Sequence, residues 1–171
     1  MTSFTKIGKD TITGRVVLHF KKATPALMNA LRRSIHELVP TMAIEYIEFR
    51  KNNSILYDEM LAHRLGLLPL TTDLKSYTIW DRATPITDAP AQATLKMTLK
   101  AKGPKTVYSK DIKSKDPAVI PVEGETPLVT LLKGQELEME ATAILGTGMQ
   151  HSKFAPGKAW YRHAPIITID D

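Results

Sequence analysis

At 171 residues, with 43% hydrophobic and 24% charged side chains, the chain is long enough to bury a core as one domain or two small ones, and too apolar for wholesale disorder. It has no cysteine, which excludes disulfides, thiolate zinc sites, cysteine-ligated iron–sulfur clusters and a cysteine nucleophile within it; no apolar run approaches the ~20 residues that span a bilayer. The net charge of +5 admits nucleic acid or an acidic protein surface as partner, but lysine and arginine are scattered along the chain.

In chain order, Met1 to Asp10 is polar, lacks the apolar core of a secretion signal and is expected to fray. A cytoplasmic location follows as the expectation. Thr11 to Phe20 alternates around Ile12, Val16, Leu18 and Phe20 and predicts a strand. Thr24 is a good N-cap and Pro25 suits the first helical position. Leu27, Leu31, Ser34, Ile35 and Leu38 then recur at three- and four-residue steps, giving a helix with one apolar face that Pro40 ends near Leu38. Ala43 to Arg50 predicts a strand with Ile44, Tyr46 and Glu48 on one side and Glu45, Ile47 and Phe49 on the other. Asn52-Asn53-Ser54 is a turn. A second helix is expected from about Tyr57 to Leu65, with Asp58 and Glu59 at its N-terminal end, His63 and Arg64 at its C-terminal end and Gly66 as C-cap.

The character changes after Leu70. Thr71 to Pro90 is rich in proline, threonine and aspartate, with Tyr77 to Trp80 its one short strand. Ala91 to Ala101 and Gln135 to Leu145 alternate strongly: Leu95, Met97 and Leu99 oppose lysines and threonines, while Leu137, Met139, Ala141 and Ala143 oppose Glu136, Glu138 and Glu140. Two strands of this kind suit an antiparallel sheet wet on one side, with lysine facing glutamate across it. Between them lie a weak strand at Thr106 to Tyr108, a polar stretch from Lys110 to Glu125, and Leu128 to Leu132 as a strand or one helical turn. Gly146 to Pro165 is a glycine- and proline-punctuated loop with Trp160-Tyr161 as a short strand, and Ile166 to Ile169 is a last strand.

No chemistry-bearing constellation emerges. Glu59 and His63 share a helix face without a second histidine at metal-ligand spacing, and adjacent Asp58 and Glu59 point ~100° apart on a helix. His151, Ser152 and His163 lack the strand–turn–helix elbow or third partner of a nucleophile. Gly146-Thr147-Gly148 is followed by neither a GK[ST] nor a helix start. The expectation is no catalytic residue, no metal and no cofactor. Lys153, Phe154, Trp160 and Arg162 are of types favoured at protein interfaces, so their loop is a possible partner surface. Lys102, Lys105, Lys110 and Lys113 crowd one stretch with the single aromatic Tyr108, which is a poor stacking platform but keeps a free-standing basic nucleic-acid-binding module as the alternative reading.

The segments NALRRSIHELVPTMAIE and LYDEMLAHRLGLLPL resemble the alpha-like subunits of archaeal and eukaryotic RNA polymerases, most closely the archaeal D-type chains, counterparts of the bacterial alpha N-terminal domain. HSKFAP and AWYRHAP resemble that family's HAKW-P and YR-P segments, so the likeness runs from about Arg15 to Pro165. It implies an α+β fold: a helix-plus-sheet dimerisation domain over 1–70, which 166–171 could rejoin, interrupted by a mainly antiparallel β insertion over 71–165. It implies a non-catalytic assembly role within a nucleotidyltransferase complex. The implied partners are a small alpha-like (L-type) subunit, the large catalytic subunits and small zinc-containing N- and P-type subunits, with DNA met only indirectly. The matching positions imply a partner interface of Leu27, Met28, Asn29, Leu31, Arg32, Arg33, Ile35, Leu38, His63 and Arg64. Family members continue past the YR-P segment, some with a cysteine-rich iron–sulfur domain and all with a closing strand and long helix. The expectation is that this chain is a truncation, or that a separate polypeptide supplies the remainder.

Overall fold

The computed structural model describes residues 3–11, 13–80, 85–165, 167 and 169. The fold is α+β, with two α-helices and antiparallel sheets. The N-terminal residues expected to fray instead form a strand, β1 (Ser3–Lys9), paired antiparallel with β2 (Val16–Lys21). The predicted strand at Thr11 is displaced because Asp10, Thr11 and Thr13 to Arg15 belong to the turn, while Ile12 lies outside the described residues. Asp10 N–H donates to the Arg15 carbonyl at 2.8 Å, Thr13 Oγ1 donates to the Asp10 carboxylate at 2.5 Å, and Gly14 takes φ 67°. Phe4 and Phe20 stack across the hairpin with ring centroids 5.8 Å apart.

Helix α1 (Pro25–Glu37) starts where its cap predicts, with Thr24 Oγ1 accepting from Leu27 N–H at 3.3 Å, and ends at Leu38 before Pro40. Strand β3 (Thr41–Asn52) leads to α2 (Asp58–Gly66). Gly66 is the last helical residue and Leu67 the cap, correcting the expected glycine cap. The main sheet runs in the order β3, β8 (Glu136–Gly146), β4 (Thr94–Lys102), β6 (Lys113–Ser114). A separate two-stranded sheet pairs β5 (Lys105–Tyr108) with β7 (Pro127–Leu131), so the apolar run at Leu128 is a strand.

The two strongly alternating segments are therefore direct neighbours, β4 and β8, with Leu99 opposite Met139 and Lys100 opposite Glu138. Their odd-numbered side chains, with Met42 and Ile44 of β3, Leu61 and Leu65 of α2, and Val107 and Val129 of the small sheet, form the main core. A smaller core of Ala43, Trp80, Ala93, Ile144 and Phe154 gathers separately. Strand β3 departs from simple alternation. Its register against β8 shifts between Ile44 and Tyr46, so the side chains that reach the main core are Met42 and Ile44 before the bulge and Ile47 and Phe49 after it. An extra residue inverts the period-two pattern, which is why Ile44 does not share a face with Tyr46 and Glu48. Tyr77 to Trp80 and Trp160-Tyr161 are not strands; Trp80 is buried instead as a core side chain. The expected last strand rests in part on positions outside the described residues.

Candidate partner interface

Helix α1 forms from its own sequence signals but is poorly covered. None of its 13 residues is buried, and Leu27, Leu31 and Leu38 are 46, 38 and 56% exposed. Met28, Arg32 and Ile35 are half-buried, and Asn29 is exposed. A helix this short is held mainly by packing of its apolar face, not by propensity. The hairpin has the same character: Phe4, Ile7, Val16, Val17 and Leu18 are all exposed. The hairpin and α1 thus both present apolar side chains to water.

What holds α1 to the rest is the segment from Thr147 to Trp160. Met149 N–H donates to the Glu37 carbonyl at 3.2 Å. Ala159 N–H donates to His36 Nε2 at 3.0 Å. At Gly148 a Cβ would stand 1.9 Å from the His36 carbonyl oxygen, so only glycine lets the two backbones approach this closely. The Arg15 guanidinium lies over the Trp160 ring, 5.2 Å from its centroid. The segment is pinned from beneath by Phe154, fully buried in the smaller core, and by Lys153 Nζ, which donates to the Ile44 carbonyl at 2.9 Å and pairs with Glu45. Phe154 therefore has no surface to offer and Lys153 is spent within the chain, whereas Trp160 and Arg162 are exposed. His151 Nδ1 accepts from Lys153 N–H at 3.1 Å and serves the local turn.

The two arginines of α1 differ. Arg33 makes a double contact with Glu37, both at 3.3 Å, an exposed i,i+4 pair worth about 0.3–0.5 kcal/mol. Arg32 is half-buried and, among the described residues, makes no ion pair. His63 is exposed, while Arg64 Nη2 donates to the Pro127 carbonyl at 2.7 Å, tying α2 to β7. Sequence reasoning did not single out His36, Arg15 or the exposed hairpin. The apolar Phe4 and Ile7 within an otherwise polar start were the one available signal.

The basic residues of the sheet do not form a free cationic surface. Glu136, Glu138 and Glu140 of β8 lie between lysines and an arginine of both neighbouring strands. Lys51 and Lys102 bind Glu136 at 2.6 and 3.0 Å, Lys100 binds Glu138 at 3.0 Å, and Lys96 and Arg50 bind Glu140 at 3.0 and 3.4 Å. The hydrogen bonds from Lys51 and then Lys102 hold Glu136 down at about 2. Lys96, the nearest donor, lowers Glu140 in the same way.

Residues 46–170 match the family described as the RNA polymerase Rpb3/RpoA insert domain. The chain is 42% identical over 170 residues to the DNA-directed RNA polymerase subunit Rpo3 of Pyrobaculum islandicum, covering 95% of this chain and 64% of that protein. It is 43% identical over 141 residues to the Rpo3 of Pyrococcus furiosus, covering 82% and 52%, and 42% identical over 148 residues to that of Methanosarcina acetivorans, covering 85% and 56%. The chain thus spans between about half and two-thirds of the length of these relatives.

Proposed function

This chain belongs to the RNA polymerase Rpb3/RpoA insert domain family, and we propose on that premise that it is a non-catalytic assembly subunit of a cytoplasmic DNA-directed RNA polymerase, of the archaeal D type. In this role it pairs with a small alpha-like subunit and docks the large catalytic subunits, with small zinc-containing subunits beside it. The chemistry of transcription then belongs to other chains, and this one supplies surface and geometry.

The observation that carries the reading is the uncovered face of α1. Leu27, Leu31 and Leu38 stand in water on a helix with no buried residue. Fully burying an aliphatic side chain of this size gains about 1.5–3 kcal/mol, so a partner helix has a substantial gain on offer there. Arg32 stands beside that face without a carboxylate partner among the described residues, and its planar fork suits a partner's carboxylates. Arg33 is partly neutralised by Glu37, so Arg32 is the stronger contact. We further propose the division into a dimerisation part over 1–70 and an insertion over 71–165, with β3 belonging structurally to both, since it pairs with β8 along its whole length.

The test is co-expression with the small alpha-like subunit and size-exclusion chromatography. Leu31→Asp is expected to abolish the heterodimer, because a carboxylate in an apolar helix interface is left without compensation. Lys113→Asp, on the exposed short strand β6, is expected to leave it intact. A full-strength heterodimer with Leu31→Asp overturns the assignment of α1 to the interface.

A further inference from the structure

A second docking feature lies away from α1, between α2 and the small sheet. A groove there is lined by Ile55, Leu56 and Arg64 on one side and by four consecutive residues, 127–130, on the other. The groove touches four residues in a row at the start of β7, where the register against β5 shifts between Val107 and Tyr108, and so it meets the edge of the strand as well as its face. That edge is open: among the described residues β7 pairs only with β5. The Pro127 carbonyl marks its direction, because it accepts from Arg64 inside the groove. An open edge with unpaired backbone groups is a template for another strand unless something covers it.

The chemistry of the walls narrows the occupant. Ile55 is 80% exposed, an aliphatic side chain left largely uncovered by its own chain. Arg64 is the one charged residue lining the groove, and among the described residues its guanidinium, with five N–H donors, makes a single hydrogen bond, to Pro127. The remaining donors suit a carboxylate. Resting on the subunit reading above, we propose that this groove receives an extended segment of another polymerase chain. The segment adds as a strand along β7, setting an apolar side chain against Ile55 and a carboxylate against Arg64.

Hydrogen–deuterium exchange on the full chain, free and assembled with the other polymerase subunits, tests this. The expectation is that the amides of residues 128–131 slow at least tenfold on assembly, and that Ile55→Asp and Arg64→Gln each abolish that slowing while the protection of α1 on assembly persists. Ile55→Asp is the secure variant, since an 80% exposed side chain contributes little to the fold. If α1 becomes protected and residues 128–131 do not, the groove proposal fails and the subunit reading stands; if neither becomes protected, both fail. If Arg64→Gln retains full slowing, the carboxylate is wrong. If the free chain alone shows the slowing at raised concentration, the occupant is a second copy and the proposal is overturned.

Discussion

Glu136 stands between two cations from opposite neighbours, Lys51 on β3 and Lys102 on β4. Its carboxyl is depressed from the ordinary 4.5 to about 2, first by the Lys51 hydrogen bond and then by that of Lys102. A depressed carboxylate contributes stability that is present above its unfolded value and lost as pH falls through its folded value. The contribution of Glu136 is thus lost between pH 4.5 and about 2. Replacing both lysines by glutamine is expected to return its midpoint toward 4.5, read by carboxyl NMR titration, and to flatten the fall in urea stability over that window. An unchanged midpoint refutes the ladder. Tyr77 works at the other end of the scale. Burial and then its hydrogen bond to Asp116, 2.8 Å away, push its hydroxyl up to about 12. A raised value retains stability up to pH 10 and loses it between 10 and about 12, so Tyr77→Phe is expected to remove that alkaline loss. Phe154 is the residue whose role changes most between sequence and structure. An aromatic in a loop rich in glycine and proline reads as a contact residue, yet it is fully buried. Phe154→Ala is expected to cost about 3–5 kcal/mol, measured by denaturant unfolding.

The elements show where local sequence rules suffice and where they stop. Helix α1 was legible to the residue at its start because capping is a local interaction of Thr24 and Pro25. Strands β4 and β8 were legible because β4 and the first half of β8 are buried on one face only, and their pairing agreed with the lysine and glutamate faces. Strand β3 was legible as a strand but not in its facing, because its bulge is set by registration against β8 and no short-range residue pattern announces it. Strand β1 was missed since its residues are all exposed and carry no burial signal; its existence rests on pairing with β2. The strap from Thr147 to Trp160 was read as a loop because its order comes from contacts far apart in sequence, His36 with Ala159 foremost. That strap yields a prediction at its own scale. Gly148→Ala forces a Cβ onto the His36 carbonyl, a backbone clash that must move one segment or the other. Amide exchange of residues 147–159 and of the last turn of α1 is expected to quicken, while β4 and β8 stay protected. Equal exchange in variant and parent would show that the strap does not hold the helix.

Across the whole molecule, burial is uneven in a way that sets how it opens. The main and smaller cores draw on β3, β4, β5, β7, β8, α2 and the segments around Trp80 and Phe154. The hairpin and α1 contribute no buried side chain among the described residues. Local opening free energy follows buried apolar contact, so regions without it exchange well below the global stability. The free chain is therefore expected to show two tiers of hydrogen exchange: α1, β1 and β2 fast, through local opening held back chiefly by the strap, and β4 and β8 slow, through global unfolding. This arrangement suits a subunit whose N-terminal surface is completed by a partner, since a partner that binds only the closed form stabilises it by mass action. At about a hundred times its dissociation constant the gain is about 2.7 kcal/mol, which would slow α1 exchange roughly a hundredfold and the global-unfolding exchange of β8 by a like factor. The small alpha-like subunit, titrated into the chain, is the ligand for this measurement. Protection of α1 that already equals that of β8 in the free chain would mean that its apolar face needs no cover. The reading of that face as an unfinished interface would then fail.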